Sequence, residues 1–138
     1  MNAVADLLQT FRADPYARLL GMEVEDVRPG WARVSMELGP QHRTFHGVVH
    51  GGAIFSLADA AFAVASNSHD RRAVALSVNV HFHRVPAPGR LVAECSEEHL
   101  GRTVASYRVE VRDAQGRRVA TMQGLVYRRD VPVADAEE

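Results

Sequence analysis

The chain is short of most things that would announce a function. It has a single cysteine, Cys95, so no disulfide can form within it. It has no Gly-x-Ser-x-Gly element, which argues against a serine hydrolase elbow. Its formal net charge is only −1, which removes any broad electrostatic pull toward nucleic acid or an anionic membrane. The pairs Arg71-Arg72, Arg117-Arg118 and Arg128-Arg129 are too short to change that and read as solvated surface. The longest apolar stretch, Ala53 to Ala65, contains Asp59 and falls short of the roughly 20 residues needed to span a bilayer. No basic-then-apolar pattern opens the chain, where Asp6 and Asp14 intervene, so a cytoplasmic location is expected.

What is present fits one soluble domain. The 138 residues are enough to bury a core, and 46% hydrophobic with 24% charged residues is the balance of a globular protein. Residues 1–129 read as a single domain and 130–138 as an acidic, disordered tail.

Val4, Leu7, Leu8 and Phe11 have helical spacing, and Asp14-Pro15 opens a further turn that Gly21 ends. Glu23 to Val27 is a weak strand and Trp31 to Leu38 an alternating one. A polar stretch to Val49 leads into a long apolar helix from about Gly52 to Ser66, stopped by Asn67-Ser68-His69-Asp70. Four strands follow: Ala73–His83, Leu91–Leu100, Thr103–Val111 and Val119–Tyr127. In the first, Val74, Leu76, Val78, Val80 and Phe82 are expected on one face, with Ser77, Asn79, His81 and His83 on the other. Successive strands with short turns predict an antiparallel sheet, and one long helix against it an α+β domain. The helix is apolar around its whole circumference, and one sheet can cover only part of it. A partner subunit, hence a homo-oligomer, is expected to cover the rest.

Asp59 is the residue that needs explaining. Serine aside, its neighbours after Gly51-Gly52 are apolar or small, and a carboxylate there is costly unless paired or used. The glycines ahead of it can offer backbone N–H groups at a helix start. An acid and an anion-binding helix end on one segment suggest acyl chemistry. A structural carboxylate bonded to a neighbouring backbone or hydroxyl group is the alternative.

The segments His50-Gly51-Gly52, Phe55-Ser56-Leu57-Ala58-Asp59, Ala65-Ser66-Asn67-Ser68 and Asn79-Val80-His81-Phe82-His83-Arg84-Val85-Pro86, in this order of elements, resemble the hotdog-fold acyl-CoA thioesterases, and most closely their PaaI-like branch. The resemblance runs from about Leu19 to Arg128. It implies a curved antiparallel sheet wrapped around one central helix, dimers that pair into tetramers, and active sites that combine residues of two chains. It also implies cleavage of a coenzyme A thioester, with aryl-acetyl groups suggested, and no metal or other cofactor.

The resemblance assigns Asp59 as general base or nucleophile and the Gly51 N–H as donor to the thioester carbonyl. It places His50 beside the thioester and Ser77 near the attacking water. Gly51 could equally serve a tight turn needing positive φ, and His50 could brace its loop. Gly52, Asn67, Arg84 and Arg102 are candidate substrate contacts, the arginines for coenzyme A phosphates and Asn67 with helix capping as the alternative. Thr44 departs from the family pattern, standing where many relatives have an asparagine, and a hydroxyl reaches less far than an amide. His81 and His83 share a strand face, but spacing assigns them no third metal ligand. Cys95 reads as a buried apolar residue. Two other readings stay open: a hotdog hydratase or dehydratase, and a non-catalytic acyl-CoA binding module.

Overall fold

The computed structural model describes residues 3–134. Two short helices, α1 (Ala3–Arg12) and α2 (Pro15–Leu20), lead into strands β1 (Met22–Arg28) and β2 (Trp31–Glu37). Then come the long helix α3 (Gly51–Ser66) and strands β3 (Ala73–Phe82), β4 (Arg90–Leu100), β5 (Val104–Arg112) and β6 (Arg118–Arg128). Asp14 caps α2 by accepting the Tyr16 N–H, and Gly21 ends it at φ 77°, a left-handed conformation that favours glycine.

The strands form one antiparallel sheet in the order β1-β2-β4-β5-β6-β3. Its inner side wraps α3, which contacts all six strands. Six alanines between Ala53 and Ala65 favour the helix and let strands approach it closely. At Gly124 of β6 the approach is close. An added Cβ would stand 2.6 Å from the ring of Phe62, which packs edge-on to Tyr107 at 5.9 Å. Asn67 ends α3. Its Nδ2 donates to Ala63 O at 2.8 Å and its Oδ1 accepts from Ala73 N at 2.9 Å, joining the helix end to the start of β3.

Two expectations need correction. The alternation of β3 is broken by a bulge between Ala75 and Ser77. Pairing places Ala73 and Ala75 beside buried residues of β6 before the bulge, and Val78, Val80 and Phe82 beside buried ones after it. Val74 pairs with exposed Tyr127 and so leaves the apolar face assigned to it, while Leu76 is the inserted residue. The segment from Asp130, expected to be disordered, is held as far as Val133 by the residues before β3. Arg72 N donates to Val131 O at 2.9 Å, Arg72 Nη2 to Val133 O at 3.1 Å, and Val133 packs on the core. The rest of that expected tail, residues 135–138, lies outside the described residues.

β3 is an edge strand, and Val74, Leu76, Val78 and Phe82 are all exposed on it. An exposed apolar edge invites pairing with another strand. Among the described residues, no helix is long and apolar enough to cross a membrane.

Candidate active site

The sheet leaves one face of α3 uncovered. Gly52, Ser56, Asp59 and Ala63 fall on it at helical spacing, and none of the four is buried. Residues of α1 and α2 stand over this face. Phe11, Asp14, Tyr16 and Ala17, with Phe55 and the α3 stripe, enclose a cavity of about 450 Å³. Asp59 is in its wall. The side chain is half-buried, and among the described residues it has no hydrogen-bond or ion-pair partner. Burial holds its carboxyl above the usual carboxylate range. Helical side chains lean toward the helix start, so the carboxylate points back toward Phe55 and Ser56. Ser56 Oγ lies 2.9 Å from the Tyr16 hydroxyl across the cavity.

The start of α3 is built to leave one amide free. His50 is the N-cap residue, and its Nδ1 accepts the Gly52 N–H at 2.8 Å. That fixes Nδ1 as an acceptor, so the neutral ring carries its proton on exposed Nε2. The Gly51 N–H has no partner among the described residues and sits at the positive end of the helix dipole. Neither Gly51 nor Gly52 has positive φ, so a left-handed turn is not why glycine stands there. At Gly52 a Cβ would come within 3.0 Å of the capping His50 ring. At Gly51 it would make only ordinary contact with Phe82.

The other expected site residues are more scattered. Thr44 Oγ1 accepts the His46 N–H at 3.1 Å, and Thr44 N donates to Val48 O at 2.7 Å, so the hydroxyl braces its own loop. That loop presents Phe45 almost bare to solvent, at 94% exposure. Ser77 pairs with Leu125 and shares a shallow hollow with Asn79, Glu98, Ser106 and Gln123, on the sheet side away from α3. One chain therefore does not bring it to Asp59. Both polar atoms of the Asn67 amide are engaged with backbone. Arg84 and Arg102 are exposed at opposite ends of β3, about 30 Å apart by strand rise. His83 Nε2 lies 3.0 Å from Thr121 Oγ1. Cys95 is fully buried, and burial followed by the nearby Glu97 charge pushes its thiol pKa far up, so it is no nucleophile.

Tyr16, Phe11 and Ser56 were not among the expected site residues. Ser56 had a signal, since it stands one helical turn before Asp59. Tyr16 and Phe11 reach the cavity only through the tertiary fold.

Over residues 46–120, more than half its length, the chain matches the thioesterase superfamily. The chain belongs to the thioesterase superfamily. It is 45% identical to a putative esterase of Deinococcus radiodurans, over 83% of this chain and 80% of the relative. It is 34% identical to the acyl-coenzyme A thioesterase PaaI of Escherichia coli, over 86% of this chain and 85% of the relative. The solved E. coli PaaI structure superposes with a TM-score of 0.87 at 31% identity, covering 95% of this chain and 99% of that one. A phenylacetic acid degradation protein PaaI from Thermus thermophilus, solved as a point mutant, is 42% identical with a TM-score of 0.79, covering 83% of this chain and 99% of that one. The chain is thus a PaaI-like thioesterase/esterase hydrolase of the hotdog fold. The sheet and central helix of this superfamily member are those its sequence resemblance implied.

Proposed function

We propose that the protein hydrolyses acyl-CoA thioesters, with Asp59 as general base or nucleophile and the Gly51 N–H as donor to the thioester oxygen. The observation that carries this reading is the unpartnered Asp59 carboxylate, half-buried in a cavity wall of a thioesterase-superfamily fold. Its raised affinity for protons makes it a stronger base than an ordinary carboxylate while solvent still reaches it. Negative charge grows on the carbonyl oxygen during attack, so the free amide at the head of α3 stabilises that state more than the ground state. The thiol of coenzyme A leaves with little acid assistance. The two solved PaaI structures are described by phenylacetic acid degradation, which favours an aryl-acetyl acyl group.

Asp59 and Gly51 belong to one helix, eight residues and therefore about 12 Å apart along its axis. A single thioester cannot touch both. The reacting pair must come from two copies, Gly51 from one and Asp59 from the other. The exposed apolar residues of β3 and the bare Phe45 supply a surface for such a dimer. Arg84 and Arg102 can likewise meet one coenzyme A together only from different copies.

The test is Asp59→Asn, which keeps shape and removes basicity. Thiol release from phenylacetyl-CoA is expected to fall about 10²–10⁴-fold. Near-normal release would remove Asp59 from the reaction. No release by the unaltered protein across a panel of acyl-CoA esters would remove the activity itself.

A further inference from the structure

The cavity beside Asp59 does not end at that residue. A second cavity of about 400 Å³ follows along the same helix, lined by Leu7, Val64, Asn67 and Val133 among others. Phe11, Asp14 and Ala63 line both cavities. Ala63 lies one turn beyond Asp59 on the uncovered face, and Asn67 one turn further. The two spaces together extend about 12 Å past the catalytic carboxylate. Phe11 comes from α1, where it is half-buried, and with the exposed Ala63 of α3 it lines both cavities where they meet.

We infer that Phe11 and Ala63 form a partition that sets the length of acyl group the enzyme accepts. The inference rests on the thioesterase reading above and concerns its acyl specificity. A compact group, a single ring or a short chain, fills the compartment beside Asp59 and stops at Phe11. A linear chain of about ten carbons must pass between the Phe11 ring and Ala63 to reach the second compartment, whose lining is largely apolar and suits methylenes. Phe11 can be truncated to open the passage, because it sits at the border of the core. Ala63 can be enlarged to close it, because its methyl faces open space. The two changes should therefore act in opposite directions.

The experiment measures kcat/KM for hexanoyl-, phenylacetyl- and decanoyl-CoA with the full chain, Phe11→Ala and Ala63→Leu. The ratio of decanoyl to phenylacetyl is the readout, since a general loss of folded enzyme cancels in it. Phe11→Ala is expected to raise the ratio about tenfold, the scale on which hydrophobic pockets discriminate. Ala63→Leu is expected to lower it by a similar factor. Phe11→Leu, gentler on the α1 packing, should shift it the same way as Phe11→Ala by less. Ratios within twofold of the unaltered protein in all three variants, or shifts of one sign in both Phe11→Ala and Ala63→Leu, overturn the partition while leaving the hydrolase intact. Absence of turnover by the unaltered protein on every ester overturns the hydrolase reading, and the partition with it.

Discussion

The hydroxyl of Tyr16 lies 2.9 Å from Ser56 Oγ, one helical turn ahead of Asp59. The contact joins the short helix α2 to the open face of α3 at the cavity wall that carries the carboxylate. Without Tyr16 the serine hydroxyl is free to turn back onto a helix carbonyl. Tyr16→Phe should lower kcat/KM about fivefold, from the roughly 1 kcal/mol of a neutral hydrogen bond. Steady-state kinetics on phenylacetyl-CoA check it. An unchanged value would make the pair a packing feature only.

On the proposed mechanism, Asp59 trades stability for reactivity. Burial raises its carboxyl, so folding favours the protonated form, and the ionised form costs stability near neutral pH. That cost shrinks as pH falls through the folded pKa and is gone only below the unfolded value of about 4. Asp59→Asn should therefore melt at a higher temperature than the unaltered protein at about pH 7, and the gap should close on acidification. The same upward shift puts the acid limb of the pH–rate profile above the ~3.9 of a free aspartate. Thermal melts across pH decide the first point. A lower neutral-pH melting temperature for the variant would mean that ionised Asp59 gains a stabilising partner in the assembly.

A site shared by two copies, as proposed, should be recoverable from two broken ones. Gly51 is the first residue of α3, a position where proline is tolerated, and His50 already has the extended backbone (φ −70°, ψ 134°) that proline requires before it. Gly51→Pro thus deletes the amide donor with little disturbance of the helix. Mixed after dissociation and reassembly, inactive Gly51→Pro and Asp59→Asn chains should regain about a quarter of normal activity, since half of random dimers are mixed and one of their two sites is whole. Thiol release from the mixture reads this out. No recovery, with mixed dimers shown to form, would rule out a shared site.

Asp113 predicts an acid-labile turn between β5 and β6. Its side chain is fully buried. Burial alone would raise the carboxyl, but the N–H groups of Ala87, Arg117 and Gln115 and the Arg117 guanidinium bring it down to about 2. The stability it supplies is complete above the unfolded value of about 4 and is lost as pH falls through about 2. Asp113→Asn should cost about 2–3 kcal/mol at neutral pH, the scale of hydrogen bonds to a charged group. Urea unfolding measures it. A change under about 0.5 kcal/mol, the range of ordinary surface substitutions, would show that the turn holds without the charge.

The long helix, the succession of strands along the chain and Asp59 were legible because each leaves a local mark; that β3 pairs with β6 was not. An alanine run signals α3, period-two alternation signals strands, and an acid stands out among apolar neighbours. The bulge at Leu76 was not legible, because one inserted residue leaves the hydrophobic pattern of β3 looking continuous. Thr44 could be flagged by position but not by use, since its hydroxyl is spent on a turn of its own loop. Phe11 and Tyr16 lie some 40 residues from the helix they face, and no spacing rule connects them to it. Val133 reads as part of a polar tail until Arg72 is seen to hold its backbone.

The contact of Phe62 with Gly124 has a bearing on any redesign of this enzyme. The ring sits where every other residue would place its first side-chain carbon, so it works like a dowel that stops α3 from sliding over the sheet. Asp59 is one turn away and inherits its aim from that peg. Engineers seeking a wider pocket have room to carve on the α1 side. Loosening the peg would let the helix drift and spoil the aim of the carboxylate before any new substrate arrived.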